Sequence, residues 1–368
     1  MTDNAPTATA RPPFKGDGLS TLIGSLPVRD HQEGLGLIFA HTPAIPLWPQ
    51  LPSNPLEGMM RQFIEGLPGI VEGEERTYID TGSDHFEGDL LAFFEEYLTV
   101  CDEPSMLAGS RFAVSEKRAG GLYRLREAVP GKSAVRAVKG QITGPFTLLT
   151  GLTDTNKKLG YYDPAFREMA VKGLAAKAAW QVRFLKELGL PVIVFIDEPA
   201  LAGLGSSSFI SLAMADLAQD LGEVITAIQD AGGLAGIHVC ANTDWEFLLS
   251  LGLDILSFDA YGFFDRLASF KPLVHAFLER DGIIAWGGIP TSEGELIRKE
   301  CAESLTALWE SHADLLASDR WTRPALLGQT LITPSCGTGS LAPDLALRVL
   351  ELTRDVSRNL RDKYPPAA

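Results

Sequence analysis

The sequence lacks the features of nucleic-acid-binding and membrane proteins. It has 32 lysines and arginines against 47 aspartates and glutamates, for a formal net charge of −15, and it has no basic cluster. Such an acidic surface repels phosphate backbones and anionic lipids, so neither nucleic acid nor a membrane surface is expected as a partner. No run approaches the roughly 18 consecutive apolar residues of a membrane-spanning helix.

Cysteine is also scarce, with Cys101, Cys240, Cys301 and Cys336 widely spaced in 368 residues. The N-terminus has no apolar core of a secretory signal, so we expect a cytoplasmic location. In that setting the cysteines should be thiols or metal ligands rather than disulfides. We assign Cys101 and Cys301 to packing. Residues 1–18, rich in Pro, Thr and Ala, are predicted to be a disordered tail.

Repeated β-rich runs, mostly followed by helical patterns, are what the sequence does contain. Almost wholly apolar strands alternating with amphipathic helices indicate a parallel sheet covered on both faces. Eight such units predict an α/β fold, a single (β/α)8 TIM barrel over residues 19–368. A doubly wound sheet is the alternative, disfavoured because no G-x-G-x-x-G follows the first strand. The predicted strands are 20–26, 45–51, 138–144, 191–197, 235–240, 254–260, 282–288 and 329–336, and long helical segments include 164–189, 209–233 and 292–316.

Residues 52–135 interrupt this alternation between the second and third predicted strands. The segment is too long for one crossover and contains helical patterns at 54–67 and 87–98, with a polar stretch at 71–84 between them. We therefore predict an insertion near the barrel mouth.

The stretch GIHVCANTDW places two metal-binding side chains at the end of the fifth predicted strand. His238 and Cys240 are two residues apart and so share one face. Asp259 ends the sixth strand and Cys336 the eighth, and the active sites of barrels lie at these strand ends. One nitrogen, two thiolates and a carboxylate form a zinc-type ligand set. The alternative is that His238 and the cysteines are buried core residues.

Two further strand ends carry polar groups. Asp197 and Glu198 close the fourth strand, and adjacent residues point to opposite faces. Asp197 is at a plausible position to bind a substrate cation inside the barrel, whereas Glu198 fits an ion pair or a helix cap behind the sheet. At the end of the first strand, Gly24 permits close backbone approach and Ser25 offers a hydroxyl at the mouth.

Other residues near strand ends are candidates either for the pocket or for packing. Thr243 and Glu246 fit a capping box for the helix after the fifth strand. The candidates to line the mouth are Gln50, Gln141, Asn242 and Tyr261, while Trp48, Trp286 and Tyr261 also fit barrel packing.

Five motifs in register resemble the cobalamin-independent methionine synthase family, specifically its catalytic C-terminal barrel. IGSLP resembles the family's IGSFP, VKGQITGPFTLL its KGMLTGPVTIL, and FIDEPAL its IDEPAL. IHVC resembles its H-x-C zinc motif, and ITPSCGTGS stands where the family has the last zinc cysteine, in P-D-C-G. The order and approximate spacing agree from about residue 19 to 360. The superfamily also contains uroporphyrinogen decarboxylase and the methylcobalamin:thiol methyltransferases.

The resemblance implies zinc on His238, Cys240 and Cys336. The family's fourth ligand is a glutamate, and Asp259 occupies the matching position here. Aspartate is one methylene shorter, so this position departs from the family pattern.

For the substrate, the resemblance implies that Ser25 and Asp197 hold an amino acid. A family glutamate that binds the substrate amine, in an H-G-E motif, has no clear match. Asp80, Asp84 or Glu87 could take its place.

The function implied by the resemblance is a zinc-dependent methyltransferase acting on a thiol such as homocysteine, with Asp197 and Asp259 as catalytic carboxylates. The chain has no counterpart of the family's N-terminal barrel, which helps to bind folate. Methylcobalamin or a corrinoid protein is therefore the expected donor, ahead of a methyl-folate. The alternatives are a decarboxylase like uroporphyrinogen decarboxylase, which would need basic partners where only Arg29 is near, and a non-catalytic corrinoid- or zinc-binding protein.

Overall fold

The computed structural model describes residues 14–73, 76–204 and 212–365. These residues form an α/β fold with a curled, parallel sheet of seven strands in the order β1-β9-β8-β7-β6-β5-β4, and β2 and β3 form a separate antiparallel pair. The strands are β1 Leu19–Ser20, β2 Ile70–Glu72, β3 Thr77–Ile79, β4 Val138–Thr143, β5 Val192–Asp197, β6 Leu234–Val239, β7 Ile255–Phe258, β8 Ile283–Ile289 and β9 Thr330–Pro334.

Helices follow most strands of the large sheet and cover its outer face. Those of the described ranges are α1 His31–His41, α2 Phe86–Asp102, α3 Gly120–Ala128, α4 Pro145–Gly151, α5 Pro164–Lys186, α6 Met214–Asp230, α7 Trp245–Ser250, α8 Ala260–Ala268, α9 Lys271–Glu279, α10 Gly294–Lys299, α11 Ala302–Leu316, α12 Arg323–Gly328 and α13 Pro343–Lys363. Short 3-10 helices occupy Pro55–Glu57, Pro104–Gly109, Gly160–Tyr162 and Pro199–Gly203.

The second predicted strand, 45–51, does not form a strand. Leu47 makes a single parallel bridge to Lys139 of β4, and Gln50 makes one to Ser25, beyond β1. These bridges place the segment between the two edge strands of the sheet. Its prolines lack the N–H group that a ladder needs, so no continuous pairing develops. The predicted eight-stranded barrel is thus confirmed only as a curled sheet of seven strands.

Two apolar clusters lie on opposite faces of the sheet. The larger cluster fills the space between strands and helices, and the smaller one lies on the inner face. Because Phe195 of β5 and Leu234 of β6 belong to the inner cluster, alternation along each strand directs Asp197 and His238 to the same inner face. The inner cluster consists of Leu19, Ile23, Ile45, Ala137, Ile193, Phe195, Leu234, Ile255, Ile283, Ala285 and Leu331.

The helix predicted for 54–67 is wrong, because only Pro55–Glu57 is helical, as one 3-10 turn. Gly58 follows this turn with an extended ψ of 141° and ends it. The Glu57 carboxylate accepts the N–H of Leu51 and lies 2.7 Å from His31 Nε2, so tertiary contacts fix the segment. The helix predicted for 87–98 is confirmed within α2.

The three long helical predictions are confirmed in type but not in every boundary. The first is α5 and the second is α6, with 209–211 outside the described residues. The third is divided into α10 and α11 at Cys301, which caps α11. Cys101 and Cys301 are both exposed, so their assignment to packing is wrong.

The beginning of the described chain is attached to the sheet. Asp17 donates its N–H to the carbonyl of Gly328, and Gly18 donates to that of Thr330 at the start of β9. The rest of the predicted tail, residues 1–13, lies outside the described residues. Across the described ranges, no helix is both long and apolar enough to cross a membrane.

Candidate active site

The predicted site residues Asp197 and His238 lie side by side, in a row of polar residues at the carboxyl ends of β4 to β7. In the parallel register, Thr143 of β4 is beside Asp197 of β5, Asp197 is beside His238 of β6, and His238 is beside Ser257 of β7. The side chains of these residues are nearly or fully buried. The sheet therefore gathers a row of polar groups above its apolar inner cluster.

Cys240 and Cys336 meet across the sheet although 96 positions separate them in the chain (336 − 240). Their side chains are hydrogen-bonded to each other, and this bond lowers the pKa of the Cys240 thiol to about 7. The same bond raises the pKa of Cys336, because its proton is the one shared. All four cysteines are free thiols, as predicted. The pair therefore presents one thiol that ionises readily beside one that donates.

His238 has one occupied and one free ring nitrogen. Its Nδ1 lies 3.0 Å from Ser257 Oγ. Its Nε2 is buried and has no hydrogen-bond partner among the described residues. Burial, with the charge of Lys139 as a smaller cause, lowers the pKa of His238 to about 3. The imidazole is consequently neutral at physiological pH, which is the state that binds a metal.

Asp259 caps a helix at the edge of the site. Its Oδ1 accepts the N–H of Gly262, 2.9 Å away, at the N-terminus of α8. Burial raises its pKa, and its charge reaches the thiol of Cys240. The carboxylate is thus near the thiol pair but already holds a structural hydrogen bond.

The donors at this site have the chemistry of zinc ligands but are not gathered around one point. Over the described ranges, no three His, Cys, Asp or Glu side chains are grouped closely enough to hold a metal ion. The chemistry of the donors does fit zinc: two thiols in contact, and a neutral imidazole whose buried Nε2 lacks a partner. Any ion would be held by His238, Cys240 and Cys336, with Asp259 beside them.

Lys139 is a functional candidate that the sequence analysis missed. It lies on β4, is fully buried, and donates from Nζ to the carbonyl of Ile23 at 2.5 Å. Burial lowers its pKa to about 7, and the charge of Asp197 opposes that shift. The sequence did contain a signal for it: Lys139 lies two residues before Gln141 in the third predicted strand, so both side chains face the same side of the sheet.

Asp197 enters the inner face, as predicted. Burial raises the pKa of its carboxyl group to about 7, and the Lys139 ammonium opposes the rise. Its Oδ1 is buried and, within the described part of the chain, accepts no hydrogen bond. A buried acceptor in this state is available to a donor from a ligand or a water molecule.

Gln141 and Gln50, predicted to line the barrel mouth, are both buried in the structure. Gln141 donates from Nε2 to the Trp48 carbonyl, while its Oε1 has no partner among the residues described. Gln50 donates from Nε2 to Gln62. A Cβ on Gly24 would lie 2.8 Å from the Gln50 Oε1, so a larger residue here would require the Gln50 side chain to shift.

Ser25 is bound to the loop after β9. Its Oγ accepts the N–H of Gly339 at 3.2 Å, and its carbonyl accepts both the N–H and the hydroxyl of Thr338. The loop that carries Cys336 is thereby joined to the end of β1.

Asn242 and Tyr261 are engaged away from the row of buried groups. Asn242 is exposed and accepts a hydrogen bond from the Trp245 indole, and Tyr261 donates to Glu300. The predicted capping box at Thr243 is wrong. Asp244 caps α7 by accepting the N–H of Phe247, because its carboxylate stands at the residue before the first helical position.

Thr243 instead donates to the carbonyl of Leu201. The indoles of Trp48 and Trp286 are buried and donate to Gln181 and His312, in agreement with barrel packing.

Glu198 is a buried helix cap, as expected for the outer face. Its carboxylate accepts the N–H groups of Phe146 and Thr147 and the hydroxyl of Thr147 at the start of α4. Burial raises the pKa of Glu198 to about 7 despite these bonds. The two adjacent carboxylates therefore serve different sides of the sheet.

The carboxylates considered as replacements for the H-G-E glutamate remain at the periphery. Asp84 and Glu87 are exposed, and Asp80 accepts a hydrogen bond from the N–H of Gly82. No hydrogen bond joins any of the three to Asp197 or Ser25. A second carboxylate beside Asp197 is not supplied by these side chains.

No family model and no curated protein matches the sequence. Similar solved structures include a B12-independent methionine synthase from Shewanella sp. W3-18-1, at 16% identity and a TM-score of 0.43, covering 62% of this chain and 63% of that one. A protein described as a putative vitamin-B12 independent methionine synthase from Listeria monocytogenes is 17% identical, with a TM-score of 0.44. The match covers 65% of this chain and 68% of that one. A GH20 catalytic module of a pneumococcal exo-β-D-N-acetylglucosaminidase is 11% identical, with a TM-score of 0.40, and the match covers 80% of this chain and 75% of that one. At such low identity and TM-score, these likenesses do not distinguish methyl transfer from glycoside hydrolysis.

Proposed function

We propose that this protein is a zinc-dependent methyltransferase that transfers a methyl group to the sulfur of a small thiol. The observation that carries the proposal is the interaction between the thiols of Cys240 and Cys336, together with the buried Nε2 of His238, which has no partner among the described residues. Two thiols and one imidazole would supply three zinc ligands and leave a fourth position for a substrate. When bound, zinc would hold the acceptor sulfur as a thiolate, the nucleophilic form.

The chain's own residues prepare such a site. The hydrogen bond from Cys336 lowers the pKa of Cys240 to about 7, so this thiol loses its proton readily. Burial keeps His238 neutral, and Ser257 engages its other ring nitrogen. Asp197, His238 and Ser257 are buried, and a site of low water content would strengthen electrostatic interactions with a bound thiolate.

The proposed methyl donor is methylcobalamin or a methylated corrinoid protein, with a methyl-folate as the less favoured source. The resemblance of the motifs to the methionine synthase family supports this choice and supports homocysteine as one candidate acceptor. Asp197 and Ser25 would contact the part of the acceptor remote from sulfur.

The test is methyl transfer by the zinc-loaded protein. We expect S-methyl products, identified by mass spectrometry, when the protein is incubated with methylcobalamin and a panel of small thiols that includes homocysteine. Cys336→Ser should lower the rate by at least 100-fold, while Cys101→Ser, which changes an exposed cysteine, should retain it. Absence of any S-methyl product with methylcobalamin, methylated corrinoid protein and methyl-folate would refute the proposal.

A further inference from the structure

The buried charges on the inner face of the sheet compensate each other. Lys139 of β4 and Asp197 of β5 are both buried and interact electrostatically. No ion pair within 4.0 Å joins these two described side chains, and the Asp197 Oδ1 accepts no hydrogen bond from described residues. The two groups therefore interact electrostatically, while Asp197 Oδ1 still lacks a hydrogen-bond donor among the described residues.

Two contacts fix the position of the Lys139 side chain. Its Nζ donates to the Ile23 carbonyl and lies 4.4 Å from the centroid of the Phe195 ring. Phe195 precedes Asp197 by two residues and faces the same side. An ammonium group has three donors, so the bond to Ile23 leaves two of them for other acceptors.

Gln141 supplies a third polar group without a hydrogen-bond partner among the described residues. Gln141 donates from Nε2 to the Trp48 carbonyl, so the group left without a partner in the described ranges is its carbonyl oxygen, Oε1. Gln141 and Phe195 are register partners on neighbouring strands, with Asp197 two residues beyond Phe195. The inner face thus offers two acceptor oxygens and an ammonium with spare donors.

We propose that Lys139 determines specificity, by making this inner face select a thiol that carries a hydroxyl group over one that carries an ammonium group. A hydroxyl both donates and accepts, so it can donate to Asp197 or Gln141 and accept from Lys139. An ammonium group can only donate, and Lys139 repels it. Since Lys139 already compensates Asp197, the buried pair offers no net negative charge that would repay the loss of ammonium hydration.

This inference rests on the proposed function only for the thiol part of the ligand, because binding can be measured without methyl transfer. The probes are three thiols with the same two-carbon spacer: 2-mercaptoethanol, cysteamine and 3-mercaptopropionate. Calorimetric titration of the full-length, zinc-loaded protein gives a dissociation constant for each. The native protein should bind 2-mercaptoethanol roughly tenfold or more tightly than cysteamine, the range of one charge-assisted hydrogen bond.

Two variants make the test specific. Lys139→Met keeps an unbranched side chain, one atom shorter, and removes the charge, so cysteamine should become the preferred ligand. Asp197→Asn leaves Lys139 uncompensated, so 3-mercaptopropionate should gain roughly tenfold over 2-mercaptoethanol. Because His238, Cys240 and Cys336 are kept in both variants, the contribution of sulfur cancels when a ratio in a variant is compared with the same ratio in the native protein.

Lys177→Met is the matched control. Lys177 is equally buried and also donates to a backbone carbonyl, that of Arg111, but it belongs to α5 on the outer side of the sheet. It should retain the native ranking of thiols. If Lys139→Met does not fold, as judged by thermal melting, the ranking in Asp197→Asn decides.

The inference is overturned if the native protein binds cysteamine as tightly as 2-mercaptoethanol, or if a folded Lys139→Met or Asp197→Asn protein keeps the native ranking. The expected ranking without any methyl transfer would support the binding inference while refuting the proposed function. Methyl transfer with no preference among the three thiols would support the proposed function while refuting the binding inference.

Discussion

The hydroxyl oxygen of Ser257 lies 3.0 Å from Nδ1 of His238, and both side chains are buried. This contact engages one ring nitrogen and leaves Nε2 for a ligand. Partners of this kind orient metal-binding histidines and determine which ring nitrogen carries the proton. We therefore expect Ser257→Ala to weaken zinc binding by about 10- to 100-fold in a chelator competition assay. Ser357→Ala removes another buried hydroxyl, one bonded to Gly18, and should leave zinc affinity unchanged. Equal affinity in both variants would remove Ser257 from the site.

Metal content depends on the thiol pair in our proposal. The purified protein should hold about one zinc ion per chain, and Cys240→Ser and Cys336→Ser should each lose most of it. Cys101→Ser and Cys301→Ser change exposed thiols and should retain the metal. Full zinc content in both variants of the pair, measured by plasma mass spectrometry, would show that the ligands lie elsewhere.

Asp259 is expected to have a structural role that can be separated from a metal role. Asp259→Ala removes the N-cap of α8 and should lower the free energy of unfolding by about 1 kcal/mol, whereas Asn preserves the cap. Zinc affinity should fall by about 10- to 100-fold in both variants if the carboxylate acts from beside the ligands. Complete loss of zinc in both variants would identify a direct ligand, and no change in affinity would exclude Asp259 from the site.

Glu198 should make stability depend on pH. Its folded-state pKa, about 7, is raised above the ordinary 4.5, so its stabilising contribution is fully present below pH 4.5 and is lost as the pH rises through 7. Glu198→Gln cannot ionise and also leaves one donor at the start of α4 poorly matched. It should lower the free energy of unfolding, by about 1–3 kcal/mol at pH 5 and by less at pH 8. Urea denaturation at both values measures this, with the exposed Glu87→Gln as control. A loss that grows with pH would mean that Glu198 is ionised in the folded protein.

The periodicity of the sequence was sufficient to predict the parallel α/β fold. Apolar runs such as 191–197 and 254–260 contain strands of the sheet, and the pattern of 164–189 contains α5. Such patterns succeed because burial on both faces of a parallel sheet requires nearly continuous apolar strands. The alternation of side chains also separated Asp197 from its neighbour Glu198, as the structure confirms.

Elements fixed by distant contacts were not predictable in this way. Segment 45–51 is as apolar as a strand, but its prolines leave it with single bridges to each edge of the sheet. The pattern of 54–67 favours a helix, but Glu57 bonds to the backbone at Leu51 and to His31 instead. The capping of α7 was misassigned by one residue, because an aspartate and a threonine are adjacent there and either side chain can cap.

The sequence by itself determined which chemical groups this protein has: the thiols of Cys240 and Cys336, the imidazole of His238 and the carboxylate of Asp197, each at a predicted strand end. Only the tertiary structure decided how they are paired. The interaction between the two thiols, the bond of His238 to Ser257 and the electrostatic interaction of Asp197 with Lys139 all join different strands or the segments that follow them. Hydrogen bonds and charge interactions act over a few ångströms in space, and the curvature and register of the sheet bring these strands together, which the spacing of residues along the chain does not encode.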